Sequence, residues 1–175
     1  MSAPLLTIGH GTSDRAELEQ RFSQAGIATI VDVRRFPGSR RNHAVSREAM
    51  EQWVPEAGIR YRWEERLGGR RRVPKEDPDA DAWWRVEAFR AYAAYTRTAE
   101  FDAAMTELVQ RTRDETVAVM CSEFVWWRCH RRLISDVAVL VHDLRVEHVM
   151  PDGRRTVHEP SEGARVCGRG LTYPG

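Results

Sequence analysis

The stretch Val117-Ala-Val-Met-Cys-Ser-Glu-Phe-Val-Trp-Trp-Arg-Cys-His-Arg-Arg-Leu-Ile-Ser-Asp-Val-Ala-Val-Leu-Val141 sets the architecture of this chain. An apolar, β-branched run ends on a thiol and a carboxylate. A short aromatic bridge then leads to cations, a second cysteine and a histidine. Leu133, Ile134 and Val137 follow at the spacing of one helical face. The pattern predicts a buried strand, a loop and a helix, with reactive side chains at the junction. In open α/β sheets, ligands sit beyond the carboxyl ends of the strands and near helix N-termini. The junction is therefore the first candidate for a site.

The flanking sequence repeats the same alternation. Leu5 to Gly9 reads as a buried strand stopped by Gly-His-Gly. Asp14 with Glu17 three residues on is a capping box, and Leu18, Phe22 and Ala25 line one helical face, closed by Gly26. Ala28 to Val33 is a second apolar strand. Ser46 caps a helix running to about Ala57, and Ile59 to Trp63 is a third strand. Arg66 to Asp81 reads as a long loop, Trp83 to Thr96 as a helix, and Thr98 as the cap of another. Val146 to Met150 is a further strand, paired through Asp152-Gly153 with Arg155 to His158 as a hairpin. This order predicts an α/β fold in three layers, a mainly parallel sheet flanked by helices, with a C-terminal antiparallel hairpin. Residues 1–159 are expected to form a single domain. The polar, Gly-rich segment 160–175 is expected to be a loosely ordered tail.

Length and composition exclude several classes. At 175 residues, 42% hydrophobic and 30% charged, the chain reads as a globular protein with a real core. A net charge of +1 argues against a generic nucleic-acid coat protein. Lys75 is the single lysine, and arginine offers phosphate or carboxylate a planar fork. Three cysteines, an odd number, and an N-terminus without signal-peptide character point to a reducing cytoplasm. No apolar run approaches the roughly 20 residues that span a bilayer, so no membrane partner is expected. Oligomeric state is not legible.

Three strand ends carry polar groups. Gly9 and His10 follow the first, where glycine lets backbone approach a ligand closely and histidine moves protons near neutral pH. Asp32, Arg34 and Arg35 follow the second; a carboxylate in an apolar strand needs a partner. Cys121 and Glu123 follow the strand of the opening stretch, before Arg128, Cys129, His130 and Arg131. If the strands are parallel neighbours, these groups converge on one sheet edge. Cys121 is the candidate nucleophile, with His10 or Glu123 handling protons. Gly9, Asp32, Arg34, Arg35, Arg128, His130 and Arg131 are candidates for holding the substrate, with Cys129 and His130 placed in the first helical turn. The Cys121 to Arg128 spacing is one residue longer than a Cys-x5-Arg anion loop. Cys121, Cys129, His130 and His10 allow zinc by residue type, but their spacing matches no compact metal motif; no metal or cofactor is expected. Gly68 to Arg72 adds cations from a possible lid.

Thr7-Ile-Gly-His10, Val31-Asp-Val-Arg-Arg-Phe-Pro37, Asn42, Gly58-Ile-Arg-Tyr61, Leu67-Gly-Gly69, Met120-Cys-Ser-Glu123 and Trp127-Arg-Cys-His-Arg131 form an ordered set that resembles the domain-of-unknown-function 488 family, from about residue 5 to about residue 150. The resemblance implies a bacterial, cytosolic α/β domain and carries no established activity to any residue. Trp126-Trp127 departs from the Pro-Trp of the family motif.

Three functions fit the residues. The first is an enzyme acting on a small anionic or nucleotide-like substrate at a Cys/His/Arg site. The second is a nucleic-acid-binding or DNA-repair-associated domain, with Arg35, Arg40, Arg41 and Arg70 to Arg72 on phosphates and Trp83 or Trp84 stacking on bases. The third is a ligand-binding module without turnover.

Overall fold

The computed structural model describes residues 3–168 and 170–175. β1 (Leu5–Gly9), β2 (Thr29–Asp32), β3 (Arg60–Trp63), β4 (Val117–Cys121), β5 (Val146–Val149) and β6 (Arg155–Val157) form one sheet in the order β3-β2-β4-β1-β5-β6. All pairings are parallel except β5 with β6. Every residue of β1, β2 and β4 is buried, as a parallel sheet covered on both faces requires. β3 lies at an edge and turns Arg60 and Arg62 to solvent, charges that discourage further strand pairing.

Alternate residues feed two cores. Leu6, Ile8, Ile30 and Met120 pack under α1 (Arg15–Gln24) and α2 (Arg47–Glu56), through Leu18, Phe22, Met50 and Trp53. Leu5, Val31, Val117 and Val119 pack under α3 (Glu87–Tyr95), α4 (Ala99–Thr112) and α5 (Arg131–Leu140), through Tyr92, Phe101, Met105, Leu133 and Ile134. The helix starts follow the caps read in the sequence. Asp14 and Glu17 form the capping box, Ser46 accepts from the Ala49 N–H and Thr98 from the Phe101 N–H. The three-layer, mainly parallel α/β fold is as expected, and the hairpin at Asp152-Gly153 forms β5 and β6.

Two local expectations are corrected, and the C-terminal segment adds a second hairpin. Trp83 and Trp84 do not open α3, which begins at Glu87. They are held instead by the chain's end: the Trp83 N–H donates to the Tyr173 carbonyl, and Tyr173 packs on both rings. Trp84 is buried and so cannot stack on a base. Among the described residues after Pro160, β7 (Arg165–Cys167) and β8 (Gly170–Thr172) pair as a second hairpin. The polar composition of this segment hides two apolar anchors, Leu171 and Tyr173, both fully buried. Finally, Cys129 lies outside α5 in extended backbone and His130 is the N-cap residue.

Candidate active site

β1 and β4 are neighbours, yet the segments that follow them leave on opposite faces of the sheet, toward α1 and α5. That divergence opens a crevice at the carboxyl edge. Backbone pairing continues past the strands: the His10 N–H donates to the Cys121 carbonyl and the Gly11 N–H to the Ser122 carbonyl. A Cβ on Gly9 would lie 1.8 Å from the Glu123 carbonyl oxygen. Gly9 therefore permits this close approach of the two chains and does not line the crevice.

The resulting cleft is about 400 Å³ and gathers His10, Arg34, Arg35, Cys121, Glu123, Arg128 and His130. It also takes in Phe36, Phe89, Tyr92, Arg70 and Cys129. The aromatic residues and the place of Cys129 in the cleft wall were not singled out from sequence. Four guanidinium groups face one small volume beside three aromatic rings.

Arg34 is fixed from behind. Its Nε and Nη2 donate to the two oxygens of Asp32 at 2.8 and 2.7 Å, and Tyr61 donates to the same carboxylate. Asp32 is fully buried and orients Arg34 without reaching the cleft. Arg34 Nη1 lies 3.3 Å from His10 Nε2, and His10 Nδ1 lies 2.9 Å from the Gly11 carbonyl. A neutral ring protonated at Nδ1 satisfies both contacts. Burial lowers the His10 pKa to about 4, so His10 is neutral at pH 7 and its free lone pair is taken by Arg34.

The Gly68–Arg72 loop, read from sequence as a possible lid, is held against the body of the protein as one wall of the cleft. Tyr92 and Tyr95 donate to the Leu67 and Arg66 carbonyls. Arg71 donates to the Gly68 carbonyl and sits over the Tyr95 ring at 3.7 Å. Gly68 lies against the backbone of Arg35, where a Cβ would come within 2.7 Å. Gly68→Ala is expected to cost about 1–3 kcal/mol, because neither backbone has room to give. At Gly69 a Cβ would meet His130 only at 3.4 Å, an ordinary contact, so Gly69→Ala is expected to stay near the parent. Urea midpoints of the two variants check this; equal midpoints would mean the loop is not seated on the end of β2.

At the floor of the cleft, Cys121 Sγ and Cys129 Sγ are 2.7 Å apart. Cys121 is 2% and Cys129 6% exposed. Burial and the adjoining Cys129 push the Cys121 thiol well above its ordinary range. Burial acts in the same direction on Cys129, but the hydrogen bond from Cys121, the Arg131 charge and the Arg131 backbone N–H bring it down to about 7. His130 Nε2 lies 2.7 Å from the Val33 carbonyl, which fixes the proton on Nε2. The Nδ1 lone pair then faces Cys129 Sγ at 3.6 Å. Burial holds the His130 pKa below its ordinary value.

Arg131 does not reach the cleft. It is 1% exposed and donates to Thr7 Oγ1 and to the Glu123 and Phe124 carbonyls. No carboxylate pairs with it among the described residues. Its charge, opposed by burial, is held by the facing sulfurs of Cys121 and Cys129. Behind it runs a buried chain absent from the sequence reading. Thr7 Oγ1 meets His148 Nδ1 at 2.6 Å, His148 Nε2 meets His158 Nδ1 at 2.8 Å, and His158 Nε2 meets Asp136 Oδ1 at 2.7 Å. The sequence signal for it is a histidine on each side of the Asp152-Gly153 hairpin.

Glu123 and Arg128 are exposed at the rim, without an ion-pair partner among the described residues. No three His, Cys, Asp or Glu side chains among the described residues are placed to share a metal ion. No helix among them is long and apolar enough to cross a membrane. Arg40, Arg41 and Arg72 are exposed and line no part of this cleft.

The sequence model described as "Domain of unknown function DUF488" matches residues 15–138. No curated protein and no solved structure matches the chain.

Proposed function

The chain belongs to the DUF488 family, and from that premise we propose that it is a cysteine-dependent enzyme acting on a small anionic, nucleotide-like substrate. The observation that carries this reading is Arg131. A buried cation without a carboxylate is costly, and the groups facing it are two thiols. A thiolate is the counter-charge that satisfies it. Cys129, not Cys121, is the better nucleophile. It has the lower pKa, it receives the Arg131 backbone N–H, and it has the His130 Nδ1 lone pair beside it to take its proton.

Arg35, Arg70 and Arg128 would hold the anionic part of the substrate, with Arg34 behind them positioning His10. Phe36, flanked by the guanidinium groups of Arg35 and Arg70 at 5.4 and 5.5 Å, together with Phe89 and Tyr92, suits a flat ring. Glu123 at the rim is the carboxylate available for proton transfer, since the His10 lone pair is engaged by Arg34.

The test is alkylation by iodoacetamide in a Cys167→Ser background, which removes the exposed third thiol. Labelling is expected at Cys129, half-maximal near pH 7, and slowed by adenosine monophosphate more than by inorganic phosphate. Arg128→Ala should weaken that protection several-fold. A midpoint in the ordinary thiol range of about 8.5, or no protection by either anion, would sink the assignment.

A further inference from the structure

We propose that Cys121 and Cys129 work together as a redox dithiol, reducing the disulfide of a small anionic thiol compound bound in the cleft. This rests on the reading of Cys129 as the nucleophile and adds a role for Cys121. Both sulfurs belong to the same cleft floor, one at the end of β4 and the other just before α5. At 2.7 Å they are already closer than two unbonded sulfurs normally pack. A disulfide needs about 2.05 Å, so each sulfur has only a few tenths of an ångström to travel. The seven residues between them leave as an exposed or half-buried loop, which can absorb that shift. The cleft, about 400 Å³ and ringed by arginine, is sized for an organic anion rather than for a bare oxidant.

The chemistry balances within the pair. The Cys129 thiolate attacks one sulfur of R–S–S–R′, forming Cys129–S–S–R and expelling R′–S⁻. Cys121 sulfur then attacks Cys129 Sγ and expels R–S⁻, which leaves with the Cys121 proton as R–SH. Two electrons pass from the pair to the substrate, and the chain is left with a Cys121–Cys129 disulfide. A dithiol reductant restores the pair by the same exchange in reverse. Cys121 suits the resolving role because its Sγ lies directly against Cys129 Sγ, while burial and the adjoining Cys129 keep it a protonated thiol rather than a thiolate.

The experiment uses 5,5′-dithiobis(2-nitrobenzoate), an anionic aromatic disulfide that reports each thiolate released, on the native full-length Cys167→Ser protein. About two thionitrobenzoates per chain are expected, with a product lighter by two hydrogens and carrying no adduct. Cys121→Ala in that background is expected to release about one and to keep the adduct on Cys129; Cys121→Ser serves if the alanine variant does not fold. Release of a single thionitrobenzoate with a retained adduct in the Cys167→Ser protein overturns the dithiol while leaving Cys129 as a nucleophile. No reaction until urea is added overturns both readings.

Discussion

Replacing Asp136 by alanine is expected to remove about 3–5 kcal/mol of stability, because it leaves buried donors without an acceptor. The carboxylate is fully buried. It accepts from His158 Nε2 at 2.7 Å, from the Ser161 N–H at 3.0 Å and from the Tyr173 hydroxyl at 2.8 Å. It thereby fastens three separate pieces of chain to α5: the end of the β5–β6 hairpin, the turn after Pro160, and the C-terminal segment. The loss is large against a typical total of about 5–15 kcal/mol. Asp136→Asn keeps the shape and one acceptor oxygen. It is expected to lose roughly 1–2 kcal/mol, the scale of one compromised buried hydrogen bond. Urea unfolding of the parent and both variants measures this, and an alanine variant within about 1 kcal/mol of the parent would refute the anchoring role.

The same network marks the boundary of what sequence carries. The strands at Leu5–Gly9 and Val117–Cys121 and the capping box at Asp14 were legible, because each is written in a local period or a fixed short spacing. The gathering of His10, Arg34 and Cys121 followed from the rule that parallel strands present their carboxyl ends together. What failed was long-range. Trp83 and Trp84 read as helical until Tyr173, about ninety residues away in sequence, claims them. Phe36, Phe89 and Tyr92 reach the cleft from three different elements, and no period connects them. The division of labour between Cys121 and Cys129 depends on Cys129 being extended before α5, with Arg131 folded back beneath it. A helical reading of the same residues hides that arrangement. His148 and His158 read as ordinary strand positions because their partners come from distant pieces of chain: Thr7 on β1, Asp136 on α5 and Trp126 in the loop before it.

Acidification from pH 7 to pH 4 is expected to remove on the order of 6 kcal/mol of stability, contributed mainly by two histidines buried in the neutral form. Burial, with His158 and Arg131 nearby, lowers His148 to about 2; burial lowers His10 to about 4. In the unfolded chain both titrate near 6.5. Between that value and the folded pKa the unfolded chain holds a proton that the native protein does not, so stability rises with pH through this window and falls as pH is lowered. Each pH unit costs about 1.4 kcal/mol per histidine, or roughly 3 kcal/mol each by pH 4. His130 and His142, also lowered by burial, act in the same direction. Below pH 4 the His10 contribution is exhausted, while the His148 slope continues toward pH 2. The interval from pH 6.5 to 5 isolates the histidines, because most carboxylates remain ionised there in both states. Urea midpoints at half-unit steps across that interval should fall steadily in the parent. His148→Gln supplies an acceptor for Thr7 and a donor for His158 without a titrating ring, and its slope should be clearly shallower, with His10→Gln in combination shallower still. Equal slopes in the parent and the double variant would show that neither imidazole is held neutral by the fold.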